Sequence, residues 1–282
     1  MVLGRPAHAG RPFVRYNAFV ADTVDLLRQA DSALALPRLG GMARPNGVVI
    51  VSERYWAFAG VDGSLREGEM PRPPEAVQQI PLARGLVRLW ASLAPVFRRE
   101  GVANRRERWL ILTAAFAPLL LGFVGGPWST VAGAALSLLL LATILRGRAL
   151  HLHGAEHRAI AAAEERRLAA TWAGAALPSR FSPRCGTNFA ALALPVTFGA
   201  DRLLPLAPAV WTPAVVLVLA LALTMELWRL VQRSSRRIWH LLLVPGLALQ
   251  RLTTREPRLD ETQVALRAVA AVIRRELAQP AP

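Results

Sequence analysis

Residues 128–160, WSTVAGAALSLLLLATILRGRALHLHGAEHRAI, join an apolar run to a cluster of histidines. As a helix, the apolar part at residues 128–145 reaches about 27 Å at 1.5 Å per residue, which is just enough to cross a bilayer. Arg146 and Arg148 follow the run, and three of the five histidines of the chain lie within residues 151–157 together with a glutamate. This stretch predicts a membrane helix that ends at a polar site.

The composition of the whole chain favours an integral membrane protein. Of its 282 residues, 53% are hydrophobic, and so much apolar surface requires a very large core or contact with lipid. The chain has 34 basic against 19 acidic residues, and every basic residue in that count is arginine. Because the arginines gather beside the apolar runs, anionic lipid explains them better than nucleic acid does. The single cysteine, Cys185, excludes an intrachain disulfide.

Four apolar runs predict four membrane-spanning helices, at residues 109–126, 128–145, 189–206 and 211–228. The third run contains two prolines and the charged pair Asp201-Arg202. It therefore either crosses with that pair at the far interface or turns back inside the membrane. Arginines cluster on one side of the runs, and the two opposite loops contain only Arg202. The positive-inside rule then puts both termini and the histidine cluster in the cytoplasm.

Outside the apolar runs, the sequence predicts a small β unit and amphipathic helices. Residues 48–51 and 55–59 are typical of strands, and Asp62-Gly63 is a hairpin turn signal. Apolar residues spaced three and four apart at 86–97 predict a helix that lies in the membrane interface or packs on the β unit. The fold class expected is mainly α, a polytopic helical membrane protein with about four transmembrane spans and a small N-terminal β unit. The expected units are an N-terminal segment (1–38), a β-containing cytoplasmic unit (39–82), an interfacial helix (83–108), a four-span membrane domain (109–237) and an interfacial return with a C-terminal amphipathic helix (238–282).

His153 and His157 are candidates for a metal site. On a helix, residues four apart share one face, and two imidazoles at that spacing can hold one divalent ion. With Glu156 they form H-x-x-E-H, a pattern of zinc peptidases in which the glutamate is a general base on water at the metal. A catalytic zinc needs a third protein ligand and an open position. The candidates for the third ligand are Cys185, Glu226 and Glu164.

Each candidate also has a purely structural interpretation. The histidines can be interfacial side chains, and Cys185 can be a small core residue. Glu156 can neutralise Arg229 or Arg184, and Glu226 can form an ion pair with Arg229 at i, i+3. Spacing alone leaves both interpretations open.

Four blocks of sequence occur in a specific order: HGAEH (153–157), RCGT (184–187), ELWR (226–229) and PGLALQRLTTREP (245–257). In this order they resemble the YqhQ-like family of bacterial membrane proteins, a family of unknown function described as metal-dependent enzymes. The resemblance covers roughly residues 38–270 and implies a membrane protein with a shared polar face, but no substrate. The chain departs from the family pattern at Asn46, Ala163, Ser182 and Met225. A histidine is common at the position of Ser182, so a metal ligand of relatives can be missing here.

Two hypotheses about function follow. The first is a multi-pass enzyme of the bacterial inner membrane, a metal-dependent hydrolase that acts at the cytoplasmic face on a lipid-linked or membrane-adjacent substrate. In this hypothesis Glu156 is the catalytic base, and zinc or another divalent metal is bound by His153, His157, Cys185 and Glu226. The second is a non-catalytic scaffold or accessory subunit that binds a protein partner or anionic lipid. Neither hypothesis involves a nucleotide cofactor or nucleic acid.

Overall fold

The computed structural model describes residues 11–98, 101–124, 129–144, 146–203, 211–234 and 237–278. The strands in these residues are β1 (Gly40–Arg44), β2 (Gly47–Val51), β3 (Tyr55–Gly60) and β4 (Leu65–Glu69). The helices are α1 (Arg11–Ser32), α2 (Glu75–Gln79), α3 (Ala83–Phe97), α4 (Arg105–Val124), α5 (Ser129–Ile144), α6 (Arg148–Glu164), α7 (Leu168–Trp172), α8 (Gly186–Leu203), α9 (Thr212–Arg233), α10 (Arg237–Leu241), α11 (Val244–Thr253) and α12 (Leu259–Leu277).

The strands form one antiparallel sheet in the order β1-β2-β3-β4. The turn between β3 and β4 contains Asp62 and Gly63, and Gly63 has a φ of +85°, which a side chain would disfavour. The Asp62 carboxylate accepts hydrogen bonds from the N–H and the hydroxyl of Ser64, and these close the turn. The sequence indicated two strands, and the structure has two more. β1 and β4 lack a clear apolar alternation because they are rich in glycine and charge.

One face of the sheet is covered by helices. α6 lies against β1 and β2, α12 lies against β2 and β3, and α1 and α7 pack on α12. Leu266, Val269 and Ile273 of α12 are fully buried in the core between this layer and the sheet. The apolar face of the C-terminal helix α12 therefore packs on the sheet. It contacts β2 and β3, and these three residues follow both strands in the chain by more than 200 positions.

The expectation of a polytopic protein with four membrane spans is wrong for the described residues. Within them, α9 is the one helix that is long and apolar enough to cross a membrane. α5 has 16 residues, α4 begins with four charged residues at 105–108, and α8 contains Pro195 and nearly ends on Asp201-Arg202. Each of these runs is too short or too interrupted by charge. Parts of the runs, at residues 125, 126, 128, 145 and 204–206, lie outside the described residues.

Three helices contact α9. α4 and α5 form a helical hairpin, α8 packs on α9 and α11, and α3 and α4 contact α9. The core helix of a protein can also be long and apolar, but such a helix is mostly buried. Only 28% of the most apolar 18-residue segment of α9 is buried in the protein. With a single candidate span, the multi-pass topology and the cytoplasmic position of both termini lose their basis.

Candidate metal centre

Helix α6 holds the two histidines in the interior of the protein. His153 is 6% exposed and His157 is 2% exposed, although the helix is not apolar in composition. Small side chains allow the sheet and α12 to approach this closely, and four alanines of α6, at positions 149, 155, 159 and 162, are fully buried. α6 is buried because its alanine side chains are small, so neighbouring backbone can pack tightly against the helix.

Two glycines allow backbone to reach the site. A Cβ on Gly154 would lie 2.2 Å from the carbonyl oxygen of Arg255, so the chain after α11 could not pass this close to α6 if residue 154 had a side chain. A Cβ on Gly41 would lie 2.9 Å from Oε1 of Glu156 and 2.7 Å from the carbonyl oxygen of Val49. Strand β1 therefore forms a wall directly over the Glu156 carboxyl group.

Both imidazoles are oriented by backbone carbonyls. Nδ1 of His153 lies 2.8 Å from the carbonyl oxygen of Thr253, and Nδ1 of His157 lies 2.7 Å from that of Arg180. Because a carbonyl oxygen can only accept, each Nδ1 must carry the hydrogen, which leaves a lone pair on each Nε2. This arrangement is typical of metal-binding histidines, in which the second ring nitrogen donates to a carbonyl or carboxylate.

Cys185 completes a group of three potential ligands. Its Sγ lies 3.3 Å from Nε2 of His153, and one ligand atom from each of His153, His157 and Cys185 lies within 4.8 Å of the others. Zinc bonds of about 2.0–2.3 Å at tetrahedral angles separate two ligand atoms by about 3.3–3.6 Å, and the distance between Sγ of Cys185 and Nε2 of His153 lies in this range. Nε2 of His157 is buried and has no hydrogen-bond partner in the described structure. The three side chains could hold a metal ion.

The environment sets the protonation of the group. Burial, and then the neighbouring His153, lowers the pKa of His157 to about 4, and burial also lowers the pKa of His153. Burial and the nearby Glu156 raise the pKa of Cys185 to about 11, although the N–H and hydroxyl of Thr187 donate to its sulfur. Neutral imidazoles are ready to bind a cation, whereas the thiol must release its proton when a metal binds.

Glu156 lies beside the three ligands and is 4% exposed. Burial raises the pKa of its carboxyl group to about 8, and no described residue donates a hydrogen bond to it. The interpretation that Glu156 neutralises Arg184 does not fit, since Arg184 pairs with Glu164. Between pH 4.5 and 8 the folded chain holds a proton that the unfolded chain has lost. Because of Glu156, the free energy of unfolding therefore decreases as the pH rises through this range.

The loop that carries Cys185 is tied to the end of α11. Gln250, fully buried, accepts from the N–H of Ser182 at 2.9 Å and donates to its carbonyl oxygen at 2.7 Å. Asn188, also fully buried, donates to the same carbonyl oxygen at 3.0 Å. Sequence reasoning missed Gln250 and Asn188 as positioning residues. Gln250 lies within the PGLALQRLTTREP block and Asn188 directly follows the RCGT block, so both were close to the available signal.

Glu226 and Glu164, the other candidates for the third ligand, are bound elsewhere. The carboxylate of Glu226 accepts from Nε and Nη2 of Arg84, at 2.8 and 2.6 Å, and from the N–H of Leu82 at 3.2 Å. It thereby joins α9 to the start of α3, and its ionic partner is not Arg229. Of the predicted ligands, the structure brings together the two histidines and Cys185 and leaves Glu226 outside the group.

A family model described as "Protein of unknown function (DUF1385)" matches residues 137–275, just under half of the chain. The match contains all three residues of the buried group and both residues that hold the Cys185 loop. This family is uncharacterised, and the match does not test the resemblance to YqhQ-like proteins. No curated protein and no solved structure matches the chain.

Proposed function

We propose that the chain is a zinc-dependent hydrolase in which His153, His157 and Cys185 bind the metal. The observation that supports this most directly is the buried Nε2 of His157, which lies beside the thiol and the second imidazole and has no hydrogen-bond partner in the part of the chain that the structure describes. Two imidazoles and one thiolate are ligands that suit zinc. Three protein ligands are also the number found in catalytic zinc sites, which keep one position open.

Glu156 is the proposed general base. When bound, zinc supplies Lewis acidity for hydrolysis. A carboxyl group with a pKa of about 8 in the metal-free protein becomes easier to ionise beside a divalent cation. Its pKa then falls toward neutrality, the range in which one group can both accept and return a proton. Strand β1 at Gly41 covers the carboxyl group and excludes bulk water from it.

The proposed substrate is lipid-linked or lies next to a membrane. Gln232, at the end of α9, donates to the carbonyl oxygen of Pro183 at 3.0 Å, two residues before Cys185. If α9 crosses a bilayer, its polar end and the metal site lie at the same surface. The expected location is the bacterial cytoplasmic membrane, in line with the resemblance to YqhQ-like proteins.

The first test is elemental analysis of the detergent-purified chain. One zinc per chain is expected in the native protein and in Glu156→Gln, and much less in His157→Ala and Cys185→Ser. Hydrolysis of a panel of chromogenic esters, phosphate esters and peptides is expected in the native protein and not in Glu156→Gln. A native chain that folds and purifies without metal, even after zinc is added, would contradict the proposal.

A second candidate is a non-catalytic membrane scaffold with a structural metal. The burial of the three ligands favours it, because structural zinc sites are closed to solvent. The same experiment separates the two candidates. Full zinc occupancy with no hydrolysis in the native protein, and unchanged stability on removal of Glu156, would support the scaffold.

A further inference from the structure

A cavity of about 260 Å³ opens at the end of α6, and arginines dominate its polar wall. Arg38 reaches it from the segment before β1, Arg166 from the turn after α6, and Arg184 from the loop that carries Cys185. Glu164 is the one acidic residue that lines it. Three guanidinium groups against one carboxylate give this wall an excess of positive charge.

The positive charge is only partly compensated within the described residues. Glu164 pairs with Arg184, whereas no described carboxylate pairs with Arg38. Arg166 donates to the carbonyl oxygens of Ala30 and Leu34, at 2.9 and 3.4 Å, and neither bond cancels its charge. Guanidinium groups that line the same cavity repel one another unless an anion lies between them.

The cavity borders the metal centre through three segments of chain. Ile160 of its wall follows His157 on α6 by three residues, which is about 5 Å along the helix axis. Arg184 directly precedes Cys185. Leu39 directly precedes β1, which covers Glu156 at Gly41. The residues that line the cavity are therefore close neighbours in sequence of His157, of Cys185 and of the strand that covers Glu156.

We infer that the cavity binds a phosphate group, carried either by a lipid headgroup or by a soluble phosphate ester. Guanidinium groups match phosphate oxygens in pairs of parallel hydrogen bonds, and a doubly charged anion balances the excess charge of the wall. The further step, that this phosphate belongs to the substrate, rests on the proposed function. The binding itself does not, because it requires only the arginines.

The test is a calorimetric titration of the detergent-purified full chain with inorganic phosphate. Zinc content is measured on the same samples. Arg38→Gln is expected to weaken phosphate binding roughly tenfold, since one charge-assisted contact is lost. Glu164→Gln is expected to tighten it severalfold, because Arg184 is released from its ion pair. Arg72→Gln, an exposed residue of the linker before α2, is the matched control and leaves the affinity unchanged.

Two further arms identify the source of the phosphate and separate the inference from the proposed function. Short-chain phosphatidic acid and glycerol phosphate compete with inorganic phosphate, and the tighter competitor identifies the source. Cys185→Ser, which loses zinc, is expected to keep phosphate binding within about twofold, because the arginines remain. A native chain that contains no zinc and still binds phosphate would overturn only the proposed function. Absence of phosphate binding, or equal affinity in Arg38→Gln, would overturn the inference.

Discussion

Cys185→Ser is the substitution that most directly separates metal binding from structural packing. Cys185 is 8% exposed, its sulfur contacts Nε2 of His153, and Thr187 donates to the sulfur. Serine is close in shape and can make the same hydrogen bonds, but it offers no thiolate to a metal. The free energy of unfolding of the metal-free variant is therefore expected to lie within about 1.5 kcal/mol of the native value, because the buried hydroxyl keeps hydrogen-bond partners.

The effect of zinc on the two proteins is expected to differ strongly. A ligand at 100 times its dissociation constant stabilises the folded state by about 2.7 kcal/mol. At about 2–4 °C per kcal/mol for a chain of this size, that raises the melting temperature by about 5–10 °C. Loss of a residue that only supports a ligand costs about 10–100-fold in affinity, so loss of the thiolate itself costs at least about 100-fold. The same zinc concentration then stabilises Cys185→Ser by about 0.4 kcal/mol, or 1–2 °C.

The assay is thermal unfolding in detergent, followed by tryptophan fluorescence, with the protein first freed of metal and then titrated with zinc. Ser182→Ala is the control, because Ser182 lies on the same loop but is not one of the three ligands. It is expected to keep the full zinc shift. An equal shift in Cys185→Ser and the native protein would refute the assignment of the thiol as a ligand, and a native protein without any shift would refute the whole site.

Three further predictions concern the packing around the site. In metal-free protein, the free energy of unfolding is expected to fall by about 2 kcal/mol between pH 6.5 and 8, because buried Glu156 keeps a proton that the unfolded chain has lost, and Glu156→Gln should remove this fall in denaturant titrations. Gly154→Ala should cost about 1–3 kcal/mol by the clash with the Arg255 carbonyl, whereas Gly186→Ala, which meets open space, should change stability by less than about 0.5 kcal/mol in the same assay. Glu226→Gln should leave zinc stoichiometry by elemental analysis unchanged and lower the melting temperature, because the residue binds Arg84; loss of zinc would contradict this.

The relation between His153 and His157 could be predicted because it is local. Residues four apart on a helix share a face, and the structure separates the two ring centroids by 4.5 Å. Cys185 could be proposed as the third ligand because its chemistry is distinctive in a chain with one thiol. Even so, spacing could not choose among Cys185, Glu226 and Glu164, since that choice depends on contacts between distant segments.

The contacts that orient the site could not be predicted from residue types. The carbonyl oxygens of Thr253 and Arg180 fix the two imidazoles, and a backbone carbonyl carries no sequence signal. The ion pair of Glu226 with Arg84 joins residues 142 positions apart. The four-span expectation was wrong for a related reason. The expectation rested on the apolar content of each run as a whole. A helix that spans a bilayer must also be long enough and free of interrupting charge.

The energetics of α6 argue for a ligand at its centre. A helix buried on a sheet needs only apolar side chains there, and α6 instead buries two imidazoles and a carboxyl group. A buried polar group without a hydrogen bond costs about 1–3 kcal/mol, and Nε2 of His157 is in this state within the described structure. For the Glu156 carboxyl group, burial disfavours the ionised form and raises its pKa to about 8. Packing alone gives no compensation for either cost. A cation held by His153, His157 and Cys185 compensates both, because it takes the free lone pair of His157 and favours the ionised form of Glu156.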